Sequence, residues 1–160
     1  TERRKKWEQA ELAKMKANGK IPNDDKWKKK YKEPDAASQL NDELPDKWVM
    51  ATIRQLSEMV QYGSSSKTNE DSSGIAVLRM GNIFEGNLLF DKLKYLPRSH
   101  SEFPELFLEP DDLLFNRTNS PELVGKTAVY KGDPSPCSFA SYLIRVRFVN
   151  GVDSYFKLFY

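Results

Sequence analysis

The sequence predicts an α+β fold: a twisted, mostly antiparallel sheet with a few helices, preceded by a helical arm and a linker. Three observations lead there. Residues 2–17 are rich in Glu, Lys, Ala, Leu and Met, all good helix formers. Residues 141–149 alternate Leu143, Arg145 and Arg147 with Ile144, Val146 and Phe148, the period of a strand. Elsewhere short apolar runs are separated by Gly, Pro, Asn, Asp and Ser, the residues of turns.

Taken in order, residues 1–19 read as the end of a helix. Trp7, Leu12 and Met15 form a loose apolar stripe that predicts packing against another helix, and Asn18-Gly19 is a natural stop. A basic amphipathic helix is also the form of a membrane-surface or calmodulin-type ligand, but a packed or solvated helix is the plainer reading. Residues 20–43 read as a linker with two prolines and heavy charge, in which Trp27 and Tyr31 are spaced for one helical turn. The basic run 26–32 suits either a phosphate backbone or a solvated face. Residues 44–160 form the main domain. A short strand is expected at 49–52 with a helical turn after it, then a polar loop over 63–73. Strands are expected at 75–80 and 88–90, with an apolar run at 93–96 before Pro97, then a short helix at 98–109 that Pro104 cuts or starts, then strands at 113–115 and 129–130. Asp153 is placed to cap a helix beginning at Ser154, and the apolar end at 158–160 suggests that further chain covers it.

Composition narrows the function. The chain is 39% hydrophobic and 30% charged, with a mean hydropathy of −0.67 and no apolar run long enough for a membrane span. Starting at Thr1, it reads as a processed or excerpted chain. Cys137 is alone, which excludes an internal disulfide framework and fits a reducing cytoplasm. His100 is also alone, so a zinc site of His and Cys is not expected. Net charge is +2, divided as +6 over residues 1–34 and −4 over residues 35–160. That acidic balance is evidence against a simple electrostatic DNA binder.

The chain is organised around residues 113–130. Two apolar runs flank Asn116, Arg117, Thr118, Asn119 and Ser120, five consecutive hydrogen-bonding side chains, followed by Pro121 and Gly125-Lys126. Such side chains read phosphates and base edges, although Asn-Ser-Pro clusters are also ordinary turn chemistry. The Asn-Arg-Thr glycosylation sequon here has no other sign of secretion beside it. This run, Phe-Asn-Arg-Thr-Asn-Ser-Pro-Glu-Leu-Val-Gly-Lys, resembles a motif in the target recognition domains of type I restriction-modification specificity subunits. Three further segments agree in order: Gly63-Ser64-Ser65-Ser66-Lys67, Val77-Leu78-Arg79-Met80-Gly81-Asn82-Ile83 with Gly86, and Phe139 to Arg145. The resemblance covers about residues 44–149, and residues 1–34 resemble the end of the spacer helix of this family.

The resemblance implies sequence-specific recognition of double-stranded DNA. Modification subunits would bring S-adenosylmethionine and methylate; restriction subunits would cleave, using Mg2+ and ATP. This chain would hold no cofactor. The residues implied at the DNA are Ser64, Ser65, Ser66, Lys67, Arg79, Asn82, Asn116, Arg117, Thr118, Asn119, Ser120 and Lys126. Arg117 suits guanine, Asn116 or Asn119 adenine, and the serines, Thr118 and Lys126 phosphates. Read without the resemblance, the residues exclude several chemistries. No Gly-x-Gly run or Asn/Asp-Pro-Pro-aromatic motif exists for methyl transfer. Residues 63–68 lack the second glycine of a nucleotide-phosphate loop. Asp111, Asp112, Glu122 and Lys126 are an alternative, nuclease-like metal set with poor spacing, and an interaction module that binds no nucleic acid is the third reading.

Overall fold

The computed structural model describes residues 2–34, 44–118 and 121–153. The chain has an α+β fold with few helices and several mostly antiparallel sheets. It divides into two compact units, Thr1–Gln55 and Leu56–Tyr160. The expectations at Asn119, Ser120 and the helix from Ser154 lie outside the described residues.

The first unit carries helix α1, Glu2–Ala17, closed by Gly19 at φ 67°. Trp7 packs on a 3-10 turn, Lys26–Lys30, rather than on another helix. Its ring stacks on Trp27 at 6.1 Å between centroids and lies 5.4 Å from the Tyr31 ring. The turn predicted from the Trp27–Tyr31 spacing therefore exists, and it covers the first half of the helix stripe. Leu12 and Met15 are half-buried. A helix of 16 residues is marginal alone, so the aromatic cluster matters. Trp27→Ala is expected to remove about 0.5–1.5 kcal/mol of ring contact beyond the lost area. The check is far-UV circular dichroism on heating, which should show helix melting earlier than in wild type.

Residues 49–52 are not the strand expected. Thr52 and Gln55 form a reciprocal cap, with Gln55 N donating to Thr52 Oγ1 (3.1 Å) and Thr52 N donating to Gln55 Oε1 (2.8 Å). That Thr-x-x-Gln cap satisfies orphan donors at a helix start, so the chain turns helical over Ile53–Leu56.

Among the described residues, the second unit has nine strands. A four-stranded antiparallel sheet orders β1 (Ser57–Tyr62), β9 (Leu143–Phe148), β6 (Leu113–Asn116) and β7 (Thr127–Val129). A three-stranded sheet orders β5 (Lys94–Leu96), β2 (Ile75–Leu78) and β8 (Cys137–Phe139), with β2 and β8 parallel. A small hairpin pairs β3 (Ile83–Phe84) with β4 (Asn87–Leu88). The core holds Leu78, Leu114, Tyr130, Cys137, Phe139 and Leu143, each fully buried. Burial pushes the Cys137 thiol up to about 12, so it is an inert core group.

The alternation read in β9 is real, but its arginine side faces inward. Ile144, Val146 and Phe148 join Leu113 and Val129 in a cluster of their own. On the opposite side Leu143 is in the main core, and the Arg145 guanidinium lies 5.3 Å from the Phe139 ring centroid, 1% exposed. Arg145 donates to the carbonyls of Phe107 (2.5 Å) and Glu105 (3.1 Å), and to Gln61 Oε1. This explains why residues 98–109 are turns and not the expected helix. Pro104 offers no donor, the Glu105 carbonyl that a ladder to residue 109 needs is turned onto Arg145, and Leu108 N donates to Cys137 O instead (2.8 Å).

Candidate nucleic-acid interface

The site is organised by the turn from β8 into β9, residues 139–142. All three sequence-predicted segments meet its backbone. Ser64 N donates to Phe139 O (2.9 Å), and Ser141 N donates to Ser64 O (2.8 Å). Ala140 N donates to Leu78 O (2.8 Å), which sets Arg79 beside the turn. Arg117 N donates to Tyr142 O (3.2 Å), and its Nε donates to Ser141 O (3.2 Å). Strand pairing enforces the arrangement: β9 lies between β1 and β6, so the C-terminal ends of those two strands flank its start.

Within this junction the predicted residues divide by exposure. Ser65, Lys67 and Arg117 are exposed; Ser66, Arg79, Thr118 and Lys126 are half-buried. Ser64, Asn82 and Asn116 are buried at 3%, 3% and 1%, and the structure gives their side chains internal partners. Asn116 Nδ2 donates to Leu123 O (2.7 Å) and Thr118 O (3.1 Å), while its backbone exchanges hydrogen bonds with Lys126 and Gly125. It clamps the loop that leaves at Arg117 and returns at Gly125, whose φ of 88° a side chain would resist. Asn82 Oδ1 accepts from Arg79 N (2.9 Å), and its Nδ2 donates to Leu89 O (2.9 Å). Both amides shape loops and present no edge to a base, which corrects the adenine-reading role expected of Asn116. Arg79 itself donates from Nη2 to Lys92 O (3.1 Å).

Two groups outside the predicted site residues, His100 and Glu102, hold the 63–67 loop. Ser64 Oγ donates to Glu102 Oε2 (2.5 Å), and Ser66 Oγ lies 3.0 Å from His100 Nε2. His100 Nδ1 lies 3.4 Å from Glu102 N and 3.5 Å from Glu102 Oε2, so these contacts together clasp the 63–67 loop onto residues 100–102. Tyr62 and Tyr142, 60% and 45% exposed, border the same junction. The signal available for them was an aromatic residue next to each polar loop.

The nuclease-like set is not supported. Asp112 is fully buried, and both its oxygens accept from Arg147, at 2.8 Å each. Those hydrogen bonds raise the Arg147 pKa, whereas burial lowers that of Arg145. Asp112 is therefore a structural counter-ion. Among the described residues no helix is long and apolar enough to cross a membrane.

No family model matches the chain. It is similar to a protein of Methanocaldococcus jannaschii named "Putative type I restriction enzyme MjaX specificity subunit", 28% identical over 131 residues. The match takes in 81% of this chain, which spans 31% of that relative's length. The similarity agrees with the family resemblance drawn from the motifs.

Proposed function

We propose that Leu56–Tyr160 reads a DNA sequence for a type I restriction-modification assembly, with modification and restriction subunits as partners that do the chemistry. The observation that carries this reading is the convergence of three polar loops on one turn, with Arg117 exposed at the junction. The similarity to a specificity subunit supports it. On this reading the chain itself transfers no methyl group and cuts no strand. S-adenosylmethionine, Mg2+ and ATP act in the partner subunits, in the cytoplasm.

The test starts from a randomised duplex pool, from which the 160-residue chain selects its site. Arg117→Ala should lose about 1–3 kcal/mol on the selected duplex and relax preference at one position. Lys126→Ala should weaken all duplexes alike and reduce the salt slope by about 0.9, the signature of one phosphate contact. Selection of no sequence, or affinities untouched by both substitutions, would refute the assignment.

A further inference from the structure

We infer that Tyr62 is a positioning residue for Arg117, fixing the guanidinium so that its outer edge reads a guanine. The inference rests on the DNA-reading function proposed above. Arginine side chains are long and lose much rotamer freedom when they bind. Here that freedom is already restricted from two directions. The Arg117 Cζ lies 4.8 Å from the Tyr62 ring centroid, a cation–π contact. The Nε hydrogen is held by Ser141 O at 3.2 Å. Both contacts come from elements that cannot drift independently, since Gly63 N donates to Leu143 O (3.4 Å) and Arg117 N donates to Tyr142 O.

What these contacts leave open is chemically informative. They use the face of the guanidinium and its Nε edge. Among the described residues no acceptor holds the Nη1/Nη2 edge. That edge is a planar two-donor fork, which matches the O6 and N7 acceptors of guanine in the major groove. The same fork also fits two phosphate oxygens; a guanine contact differs in being lost on a duplex of scrambled sequence. Prearranging the fork lowers the ordering cost of the base contact, and hence raises specific over non-specific affinity. Tyr62 is 60% exposed, so its ring adds little to the core and its removal should leave the fold intact.

The experiment compares Tyr62→Phe, Tyr62→Ala, Arg117→Ala and the Tyr62→Ala/Arg117→Ala pair on the duplex selected by wild type and on a scrambled one. Tyr62→Phe keeps the ring and should bind within about 2-fold of wild type. Tyr62→Ala should lose roughly 2- to 10-fold on the selected duplex alone, with preference relaxed at the same guanine that Arg117→Ala relaxes. In the pair, the loss should equal that of Arg117→Ala alone. In the free protein, the Arg117 Nε–Hε resonance should carry a ring-current shift that Tyr62→Ala removes and Tyr62→Phe retains. Full specific affinity in Tyr62→Ala, losses that multiply in the pair, or an equal loss in Tyr62→Phe would overturn the inference while leaving DNA reading intact. An Arg117→Ala loss equal on both duplexes would assign the fork to phosphate and overturn the guanine contact. If wild type selects no sequence, the DNA-reading function falls instead, and the resonance shift alone decides whether Tyr62 positions Arg117.

Discussion

Asp112→Ala is expected to destabilise the second unit by about 3–5 kcal/mol, the cost of breaking a buried ion pair by removing one partner. Asp112 is fully buried and accepts from Arg147 Nε and Nη2, and from Glu109 N at 2.8 Å. Arg145 Nη1 lies 3.7 Å away. Without the carboxylate, Arg147 keeps Glu109 at 2.7 Å and can turn to water. Arg145, 1% exposed, cannot do so. It would keep carbonyl partners but lose the anion that offsets its desolvation, and domains have only about 5–15 kcal/mol in total. Urea unfolding should show a lower midpoint with an unchanged slope. A loss below about 1 kcal/mol would mean that the carbonyls of Glu105 and Phe107 suffice for Arg145. A converse experiment is available: Asp112→Leu with Arg145→Met and Arg147→Met should recover much of the loss, since apolar packing often equals a buried ion cluster.

That cluster also marks where the sequence stopped being legible. The strand period of residues 143–148 was plain, because side chains in a strand alternate whatever covers them. Which face is covered is a tertiary matter, and two arginines on one face argue for solvent until an acidic partner is known. Asp112 lies 33 residues before Arg145 in the chain, and its local reading was a turn after Pro110. The helix expected at 98–109 failed for the same reason, since Arg145 takes the Glu105 carbonyl that a helix would use. By contrast, the helical turn over Ile53–Leu56 was written locally, as the Thr-x-x-Gln cap at its start. For the candidate site, composition located the polar loops, but burial decided which side chains face out. Asn116 looks like a base reader in sequence and is a clamp in the structure. Tyr62 and Tyr142 stand beside polar loops in sequence and are exposed.

Gly63→Ala is expected to break the junction and, with it, specific DNA binding. A Cβ at Gly63 would sit 2.3 Å from Phe139 O and 2.6 Å from both the carbonyl carbon and oxygen of Ala140. These are backbone atoms, so no side-chain rotation can relieve the contact. The end of β1 must move away from the 139–142 turn. Ser64 N and Ser141 N then lose their partners across the gap, and Ser64 is 3% exposed, so water does not readily replace them. Strain of about 1–3 kcal/mol and an unsatisfied buried donor worth a similar amount give an expected loss of about 2–6 kcal/mol. Because Arg117 is tied to Ser141 and Tyr142 of the same turn, the damage should reach the reading loop. Below its lowered melting temperature, the variant should bind selected and scrambled duplexes equally. Gly81→Ala is the control, since nothing lies within 4 Å of its added Cβ and its stability should match wild type. A Gly63→Ala protein that melts with wild type and still discriminates the two duplexes would show that the loops do not depend on their shared turn.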